Sequence, residues 1–151
     1  MIYTTLTKKA MKIAYQAHHG QVDAGGDPYV FHAFHLAEQM EDEMTVCAAL
    51  LHDVLEDTEM TLEELQQEFP REVTEIVRLL TRVPKEDYFN YIRRIQEHPS
   101  AKIVKLADLE HNSDMSRLTG ADSVTEERKE AWRAKYEKAR MILTEDKQHL
   151  E

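Results

Sequence analysis

The centre of the chain reads MTVCAALLHDVLE over residues 44–56. Apolar residues occupy almost every side of a helix drawn through this stretch, which is typical of a helix buried in a core. Val46, Ala49 and Leu50 lie on one stripe of that helix, and the next position on the stripe is Asp53. An ionised carboxylate buried there costs on the order of several kcal/mol unless it is paired or bound to a metal. The stretch therefore predicts a central helix with a polar site at its end.

Helical periodicity also dominates the rest of the chain, and no segment shows the strict alternation of a strand. A first helix and a last helix each have one apolar face, formed by Leu6, Ala10, Ile13, Ala14 and Ala17 and by Trp132, Tyr136, Ala139 and Leu143. The sequence predicts an all-α protein, a bundle of about seven or eight helices in a single domain over residues 1–151.

Helix starts and irregular segments can be read from a few residue types. The pairs Thr61 with Glu64 and Ser123 with Glu126 are capping-box patterns, one for a short helix and one for the last helix. Pro28, Pro70 and Pro99 suit the starts of three further helices. Segments 20–27, 81–85 and 113–122 are expected to be irregular.

Bulk composition excludes several functional classes. The formal net charge of −10 argues against general binding to nucleic acid or to anionic membranes. No apolar run approaches the roughly 20 residues that cross a bilayer. Cys47, the only cysteine, has no partner for an internal disulfide, so the expected location is the cytoplasm. The charge pattern indicates no particular dimer interface. It does not exclude a phosphate substrate, provided that a locally positive feature such as a bound metal meets the phosphate.

The end of the central stretch carries four polar side chains at helical spacing. His52 adjoins Asp53, Glu56 follows four residues after His52, and Asp57 follows four after Asp53. Residues four apart share a helix face. One helix end would then present two potential metal ligands and, a turn later, two carboxylates.

Two other predicted helices carry further potential ligands, His32 and Asp108. Lys105 and Asn112 share a face with Asp108 at spacings of three and four. Imidazole nitrogen together with carboxylate oxygen suits Mn²⁺, Fe²⁺, Co²⁺, Ni²⁺ or Zn²⁺, and the lack of cysteine in the set disfavours a structural zinc site. Each element alone is unspecific, because a His-Asp pair is common and a helical Asp is usually solvated. Their order on three separate helices is what indicates a metal site.

Five blocks occur in order along the chain, AHHGQ at 17–21, PYVFH at 28–32, LLHDVLEDT at 50–58, LT at 80–81 and KLADLEHN at 105–112. These blocks resemble the HD superfamily of metal-dependent phosphohydrolases. They are most similar to the RelA/SpoT-type hydrolase domain, which removes pyrophosphate from the alarmone (p)ppGpp. The resemblance spans roughly residues 10–114, and the chain length suggests the small, hydrolase-only form.

The resemblance implies roles for individual residues. It places the ligands of one divalent metal ion, with Mn²⁺ expected first, on His32, His52, Asp53 and Asp108. It places the acids that orient and activate water on Glu56 and Asp57. Asn112 is expected to bind the nucleotide. Lys105 and His18 are further candidates for substrate contact, with a surface lysine and a hydrogen-bonded helix histidine as the alternatives.

Two departures from the family pattern bear on the substrate. The loop before Pro28 lacks the basic pair expected there and has Asp23 and Ala24 instead. Asp114 stands where an arginine is common. Acids near a polyphosphate disfavour its binding by Coulomb repulsion. Three alternatives therefore stay open: hydrolysis of a less charged nucleotide or another phosphate ester, a non-catalytic nucleotide-binding regulatory module, or a plain helical structural protein.

Overall fold

The structure is a computed structural model that describes residues 1–145. Its helices are α1 (Thr5–Ala17), α2 (Val30–Glu38), α3 (Glu43–Leu51), α4 (Val54–Asp57), α5 (Leu62–Glu68), α6 (Arg71–Leu80), α7 (Tyr88–Gln96), α8 (Pro99–Asn112) and α9 (Glu126–Thr144), with a short 3-10 helix at Met115–Leu118. Residues 1–145 contain no strand, only an isolated bridge between Val22 and Pro28. The predicted all-α bundle is confirmed, α4 being a single turn that follows α3.

Helix α3 lies at the centre of the bundle. It packs against α1, α2, α6 and α8, and all of its residues from 45 to 51 are buried. Burial of a side chain such as Leu50 or Leu51 stabilises the fold by about 1.5–3 kcal/mol each. The predicted central helix is therefore present, and it holds the surrounding helices at fixed positions around its C-terminal end.

The central helix ends earlier than predicted. Instead of running through residue 56, α3 stops at Leu51, and a new turn begins at Val54. Asp53, between them, has φ −108° and ψ 4°, in a sparsely populated region where active-site residues are often found. Periodicity could not reveal the break because Val54, beyond it, is as buried as Leu51. His52 and Asp53 thus lie in a bend rather than on a continuous helix face.

The two predicted capping boxes have different outcomes. Thr61 Oγ1 accepts from the Glu64 backbone N–H at 3.2 Å, and Glu64 Oε1 accepts from the Thr61 N–H at 3.1 Å, which confirms the first. The second is wrong, because Thr125, rather than Ser123, caps α9. Thr125 is also a capping residue type, and it directly precedes the first helical residue.

Two further expectations concern the ends and the irregular segments. Segment 113–122 is less irregular than expected, since it contains the 3-10 helix. Residues 146–151, part of the predicted domain, lie outside the described residues. Among the described helices, none combines the length and the apolar character that a membrane span requires.

Candidate metal centre and adjoining cleft

Four predicted side chains converge from three parts of the fold. His32 comes from α2, His52 and Asp53 from the bend after α3, and Asp108 from α8. His32 Nε2 lies 2.8 Å from Asp108 Oδ1, and His52 Nε2 lies 3.1 Å from Asp53 Oδ2 and 3.5 Å from Asp108 Oδ1. Potential ligand atoms of His32, His52 and Asp53 all lie within 4.8 Å of one another. Nitrogen and carboxylate donors at these separations could hold one divalent cation.

The orientation of His52 suits a metal ligand. Its Nδ1 lies 2.7 Å from the carbonyl oxygen of Ala49, which can only accept, so Nδ1 carries a proton. The other nitrogen, Nε2, is buried and has no hydrogen-bond partner among residues 1–145. In the neutral ring its lone pair faces carboxylate oxygens. That arrangement is unfavourable unless a proton or a metal cation lies between them, and the mixed nitrogen and carboxylate donor set fits a bound metal.

The potential around His52 is strongly negative. Burial alone would lower the pKa of this imidazole, but Asp53 and Asp108 raise it well above its usual range. The same potential attracts a metal cation, which competes with the proton for Nε2.

Both aspartates are ionised at neutral pH. Burial alone would raise the pKa of Asp53, but His52 lowers it to about 2, and the hydroxyl of Tyr29 donates a hydrogen bond to Oδ2. Lys105 and the two histidines similarly hold the pKa of Asp108 well below its usual range despite burial. The side chain of Asp108 is only 7% exposed, whereas that of Asp53 is 23% exposed. Asp53 therefore faces the cleft rather than being enclosed.

His111 supports His32 from behind. The two Nδ1 atoms lie 2.7 Å apart, so one must donate and the other accept. Burial, then the charge of Arg117, lowers the pKa of His111 to about 4, which keeps it neutral. When Nε2 of His32 binds a cation, its Nδ1 must carry the proton and His111 must accept it. His35 stacks on His111 with ring centroids 3.9 Å apart. No local sequence signal indicates a role for His111, because His32 lies 79 positions away along the chain.

Glu56 and Asp57 lie beside Asp53, and one carboxylate oxygen from each of the three falls within 4.8 Å of the others. Burial, with the neighbouring carboxylates, raises the pKa of both Glu56 and Asp57. A raised pKa brings a carboxylate closer to the range where it can accept and return a proton at neutral pH. Glu56 Oε1 is held by the backbone N–H of Arg82 at 2.7 Å.

His18 lies behind these acids rather than in the cleft. It is 2% exposed, its ring packs on Tyr29, and its Nδ1 lies 2.8 Å from Gln21 Oε1. Gln21 Nε2 in turn donates to the backbone oxygen of Asp57 at 2.9 Å. The structure does not bring His18 to the cavity that adjoins Asp53. Its observed contacts position Asp57 instead.

A cavity of about 220 Å³ adjoins the metal centre. Its lining combines three acids, Asp53, Glu56 and Asp108, with basic, aromatic and amide side chains, those of Arg82, Tyr88, Tyr91, Lys105, Asn112, Lys135 and Tyr136. Lys105 is only 12% exposed and pairs with Asp108 at 2.8 Å, so it is not an ordinary surface lysine. Asn112 Nδ2 donates to Asp108 Oδ1 at 3.1 Å. Arg82 and Lys135 also line the cavity, although neither belongs to a motif that could have predicted this from the sequence.

The acidic loop is neutralised within the fold. Asp23 Oδ2 pairs with Arg117 at 3.1 Å, and its Oδ1 accepts from the backbone N–H groups of Gly25 and Asp27 at 3.0 Å each. Arg117 also donates to the backbone oxygen of His111 at 3.0 Å. The predicted repulsion between Asp23 and a phosphate is therefore largely cancelled by the adjacent guanidinium. A second cavity, of about 120 Å³, lies here and shares Asn112 and Tyr136 with the first.

Asp114 has a structural contact as well. Its Oδ1 accepts from the backbone N–H of Ser116 at 3.0 Å and so caps the 3-10 helix. Asp114 lines the second cavity and remains exposed, without a cation paired to it among the residues described.

Comparison with known proteins agrees with this fold. Residues 10–105 match the HD domain family, to which the chain therefore belongs. The chain is 34% identical over 120 residues to the bifunctional (p)ppGpp synthase/hydrolase SpoT of Escherichia coli K12, an alignment covering 70% of this chain and 17% of that protein. It is 36% identical over 121 residues to a guanosine-3′,5′-bis(diphosphate) 3′-pyrophosphohydrolase of Borreliella burgdorferi, covering 69% of this chain and 18% of that protein.

The chain thus spans less than a fifth of the length of these two curated relatives. A solved structure matches over a larger share of both chains. It belongs to a metazoan ortholog of SpoT that hydrolyses ppGpp, with a TM-score of 0.82 and 25% identity, and the match covers 95% of this chain and 88% of that one. The family resemblance seen in the sequence is confirmed.

Proposed function

We propose that this chain is a metal-dependent phosphohydrolase that removes pyrophosphate from guanosine 3′,5′-bis(diphosphate), ppGpp. The observation that carries the proposal is the convergence of His32, His52, Asp53 and Asp108 around a buried imidazole nitrogen without a hydrogen-bond partner within residues 1–145. A cavity with basic and aromatic walls opens beside it. The names of the relatives supply the substrate. We also propose that a single catalytic domain extends over residues 1–151.

One divalent ion would be held by His32, His52, Asp53 and Asp108. Mn²⁺ is the expected ion, with Fe²⁺, Co²⁺, Ni²⁺ and Zn²⁺ as the alternatives for this mixed nitrogen and oxygen donor set. Such an ion supplies Lewis-acid activation of phosphate and water. His111 and Tyr29 would orient two of the ligands, since they contact His32 and Asp53 directly.

The remaining residues would activate the attacking water and bind the phosphate groups. Water would attack the phosphorus attached to the ribose 3′ oxygen while Glu56 accepts its proton. The bond from that phosphorus to the 3′ oxygen would break, and the proton would pass from Glu56 to the leaving 3′ oxygen. The products are GDP and pyrophosphate. Asp57 lies within reach to share the proton, as its position beside Glu56 and Asp53 permits. Lys105 and Asn112 line the same cavity and would contact the phosphates and the nucleoside.

A less charged nucleotide is the second candidate, and one observation favours it. In the second cavity the guanidinium of Arg117 is already paired with Asp23, and Asp114 adds a negative charge. A substrate with fewer phosphates would therefore experience less Coulomb repulsion at this cavity.

The test is to incubate the Mn²⁺-loaded protein with ppGpp, pppGpp, GTP, GDP and nucleoside monophosphates and to identify the products by mass. GDP and pyrophosphate from ppGpp are expected. Asp53→Ala should reduce the rate by about a thousandfold or more, since a metal's Lewis-acid effect is worth several kcal/mol. Asp122→Ala removes an exposed carboxylate away from the cleft and should keep the wild-type rate.

Other outcomes would replace the proposal. Binding of ppGpp without product formation would identify a non-catalytic regulatory module. Turnover of a monophosphate alone would favour the less charged substrate. No turnover and no bound metal would overturn the assignment as a phosphohydrolase.

A further inference from the structure

We propose that Lys135, together with Arg82 and Tyr88, forms a second phosphate subsite that binds the 5′-diphosphate of the nucleotide while the 3′ group lies at the metal centre. This inference rests on the proposed function, and it concerns residues that lie apart from the metal ligands. Lys135 is on α9, beyond residues 10–105 that match the HD domain family.

Two cations meet at one aromatic ring in the cavity wall. The ammonium nitrogen of Lys135 lies 4.1 Å from the centroid of the Tyr88 ring, and the guanidinium carbon of Arg82 lies 5.6 Å from it. Both side chains line the cavity that also contains Asp53 and Asp108. The ring holds the two cations near each other, and an anion placed beside them would gain from both charges.

The three cations Lys105, Arg82 and Lys135 line the cavity and differ in whether each already has a hydrogen-bond or ion-pair partner. Lys105 is paired with Asp108 at 2.8 Å. The Arg82 guanidinium donates to the backbone oxygen of Glu86 at 2.9 and 2.7 Å, contacts that leave its charge without a carboxylate partner. Lys135 has neither a hydrogen bond nor an ion pair within residues 1–145. Lys135 is therefore the cation best able to accept an incoming phosphate.

The charge balance agrees with this geometry. Partial burial of Lys135, and then the charges of Arg82 and Lys105, lower its pKa. Like charges held together in a partly buried cavity repel one another, and a phosphate would relieve that repulsion. In the second cavity, Arg117 is already paired with Asp23 and is therefore less available to bind a phosphate.

The 5′-diphosphate is the part of the proposed substrate that fits this subsite. Cleavage requires the 3′-pyrophosphate at the metal end, beside Asp53 and Glu56. The nucleotide's remaining negative charge is then on its 5′ side, and Arg82 and Lys135 are the cations lining the same cavity that have no carboxylate partner among residues 1–145.

Lys138 offers a matched control on the same helix. Its ammonium nitrogen also lies 4.1 Å from an aromatic centroid, that of Phe89 on α7. Lys138 is exposed and is not one of the residues that line the cavity. Lys135→Gln and Lys138→Gln therefore remove the same charge and the same kind of ring contact, but only the first changes the cavity.

The kinetic test compares ppGpp with guanosine 3′-diphosphate, which lacks the 5′ phosphates, in the Mn²⁺-loaded protein. The ratio of kcat/KM for the two substrates should fall roughly tenfold in Lys135→Gln, mostly through a higher KM for ppGpp. In Lys138→Gln the ratio should equal that of the wild type. An unchanged ratio in Lys135→Gln, or an equal fall in both variants, would overturn the subsite.

A binding test separates this inference from the proposed function. GDP carries the 5′-diphosphate and no 3′ phosphate, so its affinity can be measured by calorimetry whether or not ppGpp is hydrolysed. Lys135→Gln should bind GDP about tenfold more weakly than wild type and Lys138→Gln equally well. That result with no ppGpp turnover would retain the subsite and reject the proposed function. No GDP binding by the wild type, or equal affinities in all three proteins, would reject the subsite.

Discussion

The metal centre and the cation pair Arg82 and Lys135 in the same cleft differ in where their residues come from. At the metal centre, His32, His52, Asp53 and Asp108 belong to short motifs on helices that pack around α3. In the cation pair, Arg82 follows α6 and Lys135 lies on α9, outside any motif. Ligand positions need a rigid buried setting with defined partners, whereas phosphate recognition needs only enough charge near the right place. The two groups therefore respond differently to substitution.

His111→Ala should produce the largest effect among the following changes. Loss of the ring that accepts from His32 Nδ1 leaves that ligand without a fixed orientation. Changes of this kind typically cost 10–100-fold in metal affinity or activity, so we expect a decrease of about that size in Mn²⁺ affinity. His35→Ala is the control, because His35 stacks on His111 but makes no hydrogen bond to His32. Equal losses in the two variants would show that His111 acts only by packing.

The sequence predicted most helices because each carries an apolar stripe, as in α1, where Ala10 and Ala14 are buried as expected. It missed the bend at His52 and Asp53, because apolar residues continue on both sides of it. It named the four residues that the fold brings together, His32, His52, Asp53 and Asp108. It could not show that Asp23 pairs with Arg117, a contact between positions 94 apart. Lys135 was missed for the same reason, since a lysine on a helix is identified as a cavity residue only after the helices are assembled.

Asp23→Asn tests the second cavity, where Asp23 pairs with Arg117 and a smaller effect is expected. The amide oxygen can still accept from the Gly25 and Asp27 N–H groups, but Arg117 is released from its ion pair. The KM for ppGpp should fall about threefold, in line with the modest energies of partly exposed ion pairs, and the change should weaken at high salt. Asp27→Asn, in the same loop and exposed, should leave KM unchanged. A higher KM in Asp23→Asn would contradict the idea that Asp23 masks Arg117.

The smallest effect is expected for the stability of Glu56→Gln, measured separately from the loss of turnover that its proposed role as a base implies. The folded-state pKa of Glu56 is raised, chiefly by burial, so folding favours its protonated form. That favourable contribution is full below the ordinary glutamate pKa of about 4.3 and is lost as pH rises through the folded pKa. With EDTA present at pH 7, Glu56→Gln should therefore melt slightly above the wild type, by about 1 °C or less, because water screens this partly exposed carboxylate.

The difference should disappear when the melting temperatures are measured below about pH 4, where Glu56 is protonated in both the folded and the unfolded chain. Glu59→Gln, an exposed neighbour, is the control and should melt at the wild-type temperature at both pH values. A lower melting temperature for Glu56→Gln at pH 7 would mean that the ionised carboxylate stabilises the fold.

The most direct test of the account is calorimetric titration of Mn²⁺ into chelator-treated wild type and into His32→Ala, His52→Ala, Asp53→Ala and Asp108→Ala. A single Mn²⁺ per wild-type chain is expected, and each of the four substitutions should weaken its binding strongly. If Mn²⁺ bound His32→Ala or Asp108→Ala as tightly as the wild type, the three parts of the fold would not share one cation, and the proposed active site would be wrong.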